Sequence, residues 1–141
     1  MLKYIVLLVG VLLASPAFAL VVPATIANGA SQSASINLNG SYPSLLHPIQ
    51  IQMPSAWTTA SLIFLVSNDN GSTFTELYDG NGNEYVVNAE ASAIILLDPQ
   101  VFNYVSVFKI ESCNYGSPPC SAVNQGSART LNIIALPATP K

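Results

Sequence analysis

One stretch of the chain decides its fold class: Trp57-Thr-Thr-Ala-Ser-Leu-Ile-Phe-Leu-Val-Ser-Asn-Asp-Asn-Gly-Ser-Thr-Phe-Thr-Glu-Leu-Tyr-Asp79. An apolar run ends at the Asn-Asp-Asn-Gly of residues 68–71, and an alternating apolar and polar run comes after it. Asn and Gly tolerate the backbone of a tight turn, and alternation is typical of a strand with one buried face. The stretch therefore predicts a β-hairpin.

Similar short runs continue along the chain. They are rich in Val, Ile, Phe and Tyr and lie between turn residues, whereas a helical period is absent except for one predicted turn around Asp98–Phe102. The predicted strands are Val21–Ile26, Ser33–Leu38, Ile49–Met53, Ser61–Ser67, Phe74–Tyr78, Glu84–Asn88, Ala93–Leu97, Tyr104–Glu111 and Arg129–Leu136. We therefore predict an all-β antiparallel sandwich, jelly-roll-like, with eight to nine strands.

The N-terminus has the pattern of a secretory signal peptide over residues 1–19. Lys3 precedes an apolar run from Tyr4 to Ala14, and Ala17-Phe-Ala19 supplies the small residues that precede a cleavage site. The run is short for a membrane span, so an uncleaved signal anchor is the second interpretation. The sequence predicts a secreted protein, extracellular or periplasmic, with no membrane span after cleavage.

Removal of these 19 residues from 141 leaves 122, which is the size of one domain. Residues 20–40 are rich in Ala, Ser, Asn and Gly and indicate an edge or a leader rather than core. The leader could be a sheet strand, a disordered tail or a strand donated to a neighbour. The sandwich domain itself is predicted over residues 41–141.

The charge balance excludes one class of partner. After signal removal three cations remain, Lys109, Arg129 and Lys141, against seven Asp and Glu, and they form no basic cluster. A nucleic-acid backbone has nothing to bind here.

Charged residues are only 8% of the chain, well below the usual quarter or so. Three predicted strands are also apolar on both faces, around 62–66, 94–97 and 133–134. An isolated soluble sandwich keeps one face of each strand polar, so the second face needs a cover. The cover is either a loop or the leader of the same chain, or another subunit; the charge deficit favours contacts with a subunit or another surface.

Cys113 and Cys120 lie downstream of an export signal, which predicts a disulfide that pins a local loop. Two cysteines without a nearby His do not complete a tetrahedral metal shell. Tyr115 lies in this loop with Pro118 and Pro119, so we predict an aromatic contact tip there.

The segment from Asp79 to Glu90 superficially resembles an EF-hand loop. Its sixth position is Glu84 rather than Gly, and strands rather than helices flank it, so a hairpin turn between Tyr78 and Tyr85 is the favoured interpretation. A weaker calcium site stays open as an alternative; its oxygen ligands would be Asp79, Asn81 and Asn83. The sequence implies no other cofactor.

The chain shows no catalytic constellation. His47 is the only histidine, no Gly-x-Ser-x-Gly nucleophile turn occurs, and His47 is interpreted as a residue at the start of a strand. The acidic residues Glu76, Asp79, Glu84 and Glu90 all lie in or beside one hairpin, where solvated carboxylates are poorly suited to acid and base catalysis. We predict no enzymatic activity and assign no catalytic residue.

Aromatic residues offer a second candidate contact surface. Trp57, Tyr78, Tyr85, Tyr104 and Tyr115 could form a platform on which sugar rings stack. The alternative, preferred for all but Tyr115, is packing at the margin of the core.

Two segments resemble a family of small proteins encoded by tailed bacteriophages. They are Ala56 to Asp79 and the later Leu97-Asp98-Pro99 with Phe102, continued by Pro119 to Leu131. The resemblance covers roughly residues 47–136 and implies a galactose-binding-like or jelly-roll sandwich in a virion or at a cell surface. The signal peptide and the cysteine loop depart from that pattern and favour a protein that is exported before it acts.

These observations predict a secreted, non-enzymatic structural subunit of a virion or extracellular filament that acts through contacts with copies of itself or with other surface proteins. The alternative is a monomeric carbohydrate-binding module with a glycan as partner. An assembling subunit should bury its doubly apolar strands against copies of itself, whereas a lectin-like module should expose an aromatic-lined groove.

Overall fold

The structure, a computed structural model, describes residues 19–39, 46–116 and 119–137. The predicted signal peptide lies almost entirely outside these residues. Within them the chain forms two antiparallel sheets and a single helical turn, which confirms the predicted all-β sandwich. The elements are β1 (Leu20–Ile26), β2 (Ile36–Asn37), β3 (Leu46–Gln52), β4 (Ser61–Val66), β5 (Thr75–Glu76), β6 (Ile94–Leu96), α1 (Pro99–Phe102), β7 (Val107–Asn114), β8 (Ser121–Ala122) and β9 (Arg129–Pro137).

The strand order is that of a jelly roll. The first sheet has the order β1-β9-β3-β6, and the second has the order β2-β7-β4-β5, with the short β8 paired to β7. The pairs β1 with β9, β2 with β7, β3 with β6 and β4 with β5 are nested, as in a long antiparallel ribbon folded over on itself. This nesting is the double Greek key of the jelly roll.

The core lies between the two sheets and is built from alternate residues of each strand. Its centre is aromatic: the Phe64 and Phe102 rings meet edge to face with centroids 4.8 Å apart, and Phe108 and Tyr85 pack around them. Phe102 reaches the core because α1 starts at an N-cap, Asp98, whose carboxylate accepts a hydrogen bond from the Gln100 amide at 2.8 Å. The helical turn predicted at 98–102 is thereby confirmed.

The hairpin predicted within residues 57–79 is also confirmed. Leu65 pairs with Glu76, and Val66 pairs with Thr75. Asn70 and Gly71 take left-handed backbone conformations, with φ of 58° and 93°, which explains why the turn carries these residue types.

The carboxylate of Asp69 holds this turn closed. It accepts hydrogen bonds from the Thr73 amide at 2.8 Å, the Thr73 hydroxyl at 2.7 Å and the Ser67 hydroxyl at 2.7 Å. The bonds from Thr73, followed by that from Ser67, lower the pKa of Asp69 to about 2.

Of the two interpretations of residues 20–40, a leader or edge strands, the structure shows edge strands over the part that it describes, residues 20–39. β1 and β2 are edge strands of the two sheets, and Ala24, Ile26, Ile36 and Leu38 are buried in the core. The sandwich therefore begins at Leu20. The low aromatic content of the segment reflects its edge position, because small and aliphatic side chains fill the margins of the core.

Some strand predictions also need correction. Residues 84–88 make only isolated bridges: Glu84 with Tyr78, and Val87 with Leu62. β7 starts at Val107 and continues to Asn114, later than the predicted 104–111. β8 was not predicted at all; its two residues pair with the end of β7 beside the disulfide.

Candidate binding surfaces

Over the strand residues that the structure describes, the outer face of the first sheet is exposed and carries no Asp, Glu, Lys or Arg; His47 lies at one end of it, paired with Leu136. Cross-strand register aligns Val21, Ile134, Gln50 and Leu96 in one row, because each is paired with the next across the sheet. Val21 is 55%, Ile94 63% and Leu96 77% exposed. We call this surface the uncharged face; it consists of Val21, Pro23, Thr25, Gln50, Gln52, Ile94, Leu96, Thr130, Asn132 and Ile134.

The outer face of the second sheet is covered by the chain itself. Ile63 and Val107 point away from the core but are each only 2% exposed. The turn after β4 folds back over this face, so that the Lys109 ammonium lies 4.4 Å from the centroid of the Phe74 ring. We call this surface the covered face; its outward residues are Ser61, Ile63, Leu65, Val107, Lys109, Glu111 and Cys113.

A disulfide closes the other end of the covered face. Cys113 on β7 is fully buried and bonded to Cys120, with their Cα atoms 5.6 Å apart, which confirms the predicted pair. The Cys120 amide donates to both carboxylate oxygens of Glu84, at 3.0 and 3.3 Å. Tyr115 projects from the loop with 53% of its surface exposed, and its contact role stays a prediction.

Beside Tyr115 lies a shallow cavity of about 330 Å³ between the disulfide loop and the segments 59–61 and 88–90. Its lining mixes small polar and apolar side chains, and Tyr115 is the only aromatic residue among them. The cavity offers one ring and five polar side chains, those of Thr59, Ser61, Asn88, Glu90 and Asn114.

A larger groove of about 610 Å³ separates the Tyr78–Glu84 hairpin from α1. Tyr78 lines it with 48% of its surface exposed, whereas the Tyr85 ring packs into the aromatic core and presents its hydroxyl. That hydroxyl accepts a hydrogen bond from the Asp98 amide at 3.3 Å. The groove thus combines aromatic rings with carboxylate and amide groups from two elements.

The Tyr78 hydroxyl is 3.3 Å from Glu76 and donates to its carboxylate. Desolvation, together with the Glu76 charge, raises the pKa of Tyr78 above its ordinary value, so the ring carries a neutral hydroxyl.

Asp79 shapes the hairpin rather than reaching across the groove. Its carboxylate accepts bonds from the Asn81 amide at 2.8 Å, the Asn83 amide at 2.9 Å and the Asn83 side chain at 3.2 Å. The bonds from Asn83 are the main reason why the pKa of Asp79 is lowered. The predicted Gly/Asn turn is confirmed; a calcium site at these three residues stays a prediction.

The predicted aromatic platform is not one surface. Trp57 packs against the core margin and donates its indole N–H to the Ala60 carbonyl at 3.0 Å, as expected. Core packing was the wrong expectation for Tyr78 and for Tyr104, which is 88% exposed. Only Tyr78 and Tyr85 are brought together, because the hairpin returns the chain next to α1.

The structure shows where two polar residues from the sequence analysis lie, His47 and Glu84. His47 is the second residue of β3, where its start-of-strand interpretation put it. Glu84 is not a solvated turn carboxylate as predicted, since it is 9% exposed beneath the disulfide loop. Sequence reasoning missed the groove residues Asp98 and Gln100, although Asp98-Pro99 is the signature of an N-cap with proline at the first helical position.

The fold and these surfaces define a class of protein, a jelly-roll domain with one uncharged face and one aromatic groove. The chain matches no protein-family model, and comparisons with curated proteins and with solved structures find no significant match. Among the described residues no helix is long and apolar enough to cross a membrane.

Proposed function

We propose that the protein is an exported, non-enzymatic structural subunit that associates with copies of itself through the uncharged face. The observation that carries this proposal is the exposure of Val21, Ile94 and Leu96 on one sheet face without a charged side chain among its ten residues. A virion or an extracellular filament is the setting that the sequence resemblance suggests.

A second copy of the chain fits this face better than a charged partner does. The polar groups of the face are amides and hydroxyls: Gln50, Gln52 and Asn132 can each donate and accept, so two copies can satisfy one another. A charged partner would lose hydration without gaining an opposite charge. Identical faces related by a two-fold axis would form an isologous contact.

The sheet edges favour contact through the face over strand-to-strand pairing. β1 carries Pro23, which lacks a backbone donor, and β6 has only three residues. Proline and short length are common features of edge strands that do not pair with other chains. The free edges of the first sheet are thus poor templates for adding a strand.

The size of the uncharged face sets the expected strength of self-association. Four strands about 4.8 Å apart and roughly 20 Å long present roughly 400 Å², half of what one partner contributes to a standard interface. We therefore expect self-association that depends on concentration, rather than a permanent dimer.

Light scattering on residues 20–141 over a concentration series tests the proposal. We expect the mass to rise with concentration, and Leu96→Lys or Ile94→Lys to abolish the rise because each buries an unpaired charge in the contact. Tyr104→Lys is the control, since Tyr104 is exposed outside this face. A wild-type chain that stays monomeric at all concentrations would overturn the proposal.

A further inference from the structure

We propose that the groove between the Tyr78–Glu84 hairpin and α1 is a binding site for a neutral saccharide. The groove shares no lining residue with the uncharged face, so the proposal does not depend on association through that face. Its first support is size, because about 610 Å³ lies within the range of roughly 300–1,000 Å³ that is typical of small-ligand pockets.

The second support is an aromatic ring that the fold leaves outside the core. Tyr78 keeps 48% of its surface exposed in the groove, while its neighbour Tyr85 is tied into the aromatic cluster with Phe64 and Phe102. A tyrosine ring offers an apolar face to the C–H face of a sugar and a polar edge to its hydroxyls. The packed Tyr85 ring fixes one wall of the groove.

The third support is hydrogen-bonding capacity that the fold does not use. The Tyr85 hydroxyl accepts from the Asp98 amide and retains its own proton for a ligand. Asp98 uses Oδ1 to accept from the Gln100 amide, and among the described residues its Oδ2 has no hydrogen-bond partner. The side-chain amide of Gln100 likewise makes no hydrogen bond within the described part of the chain.

These groups together offer a donor hydroxyl, a carboxylate oxygen and one side-chain amide that both donates and accepts. A polyhydroxylated ring needs this mixture, because each sugar hydroxyl donates one hydrogen bond and accepts others. A purely apolar ligand would leave the carboxylate and the amide desolvated without partners. The chemistry of the lining therefore selects a polyol.

The charge of the lining favours a neutral polyol over a charged one. Among the residues that the structure describes, Asp79 and Asp98 are the charged ones that line the groove, and no lining residue is Lys, Arg or His. Sulfated, phosphorylated or uronic sugars would meet like charge at short range. We therefore expect neutral glycans rather than anionic ones.

The test uses the chain from Leu20 to Lys141 on an array of neutral oligosaccharides, built from glucose, galactose, mannose, xylose or N-acetylhexosamine, and of anionic ones such as alginate and heparin fragments. Calorimetry with the best neutral binder then gives affinities. We expect neutral glycans to bind and anionic ones not to, with the same affinity in EDTA and in millimolar calcium, since the side chains contact the sugar directly.

Tyr78→Ala should weaken binding about tenfold, and Gln100→Ala about fivefold, as expected for one stacking contact and one hydrogen bond. Tyr104→Ala is the matched control, because it removes an exposed tyrosine that lies outside the groove, and it should leave the affinity unchanged. Circular dichroism of each variant confirms folding.

Three results would overturn the site: no binding of any neutral glycan by the wild-type chain, preference for the anionic set, or equal losses from Tyr78→Ala and Tyr104→Ala. A strict requirement for calcium would contradict direct recognition by Asp98 and the amide. Ile94→Lys separates this proposal from self-association, because Ile94 lies on the uncharged face at the end of β6 farther from Asp98, and the change should leave glycan affinity unchanged.

Discussion

The two outer faces of this sandwich have similar sequences, but one face is covered and the other is exposed. The sequences of β4 and β6 are both apolar on two sides, yet Ile63 on β4 is 2% exposed and Ile94 on β6 is 63% exposed. The difference comes from the segments that adjoin the strands. β4 leads into a turn that folds back over the covered face, and β7 leads into a disulfide loop that closes its other end.

The comparison shows that a doubly apolar strand does not by itself indicate a partner. Loops of the same chain cover β4, whereas within the described residues no such cover lies on Ile94 and Leu96. Only the exposed face remains as an argument for association.

The largest expected effect comes from removing the same atoms on the two faces. Ile63→Ala should lower the free energy of unfolding by about 2–5 kcal/mol, because it leaves a cavity under the loops. Ile94→Ala should change it by less than about 0.5 kcal/mol, as is usual for an exposed site. Urea unfolding at low protein concentration, where the chain is monomeric, measures both. Equal losses would show that the two faces are not differently covered.

The disulfide should give the second largest effect. Replacing Cys113 and Cys120 together by Ala should lower the free energy of unfolding by about 2–3 kcal/mol, since the short loop is no longer constrained. Unfolding of the wild type with and without reductant provides the comparison: reductant should reproduce the loss in the wild type and do nothing further in the double variant. Retained stability in the double variant would mean that the loop stays closed without its bridge.

Acid should destabilise the turn over the covered face. Of the three predicted effects on stability, we expect this one to be the smallest. The folded pKa of Asp69, about 2, lies below its ordinary value of 3.8, so the turn favours the charged carboxylate. Its contribution is therefore complete above about pH 4 and is lost as the pH falls through about 2.

The urea midpoint measured from about pH 5 to about pH 2 tests this expectation. Asp69→Asn should have a flatter profile than the wild type, because it removes the titrating group. Glu90→Gln is the control: Glu90 is exposed, and its side chain makes no hydrogen bond within the described ranges. Parallel profiles for wild type and Asp69→Asn would contradict the assigned role of the turn.

Much of the fold could be predicted from local signals. The Asn-Asp-Asn-Gly turn specified the β4–β5 hairpin because few residues tolerate positive φ, and Asp98-Pro99 marked α1 because a cap and a fixed φ are local properties. The disulfide could be predicted from two cysteines that follow a predicted export signal. The composition of residues 84–88 suits a strand, which is why the sequence predicts one there. Their pairing depends on the preceding hairpin, and they make only isolated bridges.

The candidate sites were harder to predict. The sequence predicts Tyr78 and Tyr85 as contact residues, but their neighbours Asp98 and Gln100 lie on a later element, and no spacing rule links that element to the hairpin. The core role of β1 and β2 was missed because their pairing partners, β9 and β7, lie far along the chain.

By itself, the sequence determined the all-β class, the turns and the disulfide, since each depends on backbone preferences or on side chains close together along the chain. The tertiary structure decided the jelly-roll nesting, which apolar face is covered and which side chains meet in the groove. These depend on contacts between distant segments, where the free energy comes from burying apolar surface whose partner the local pattern does not specify.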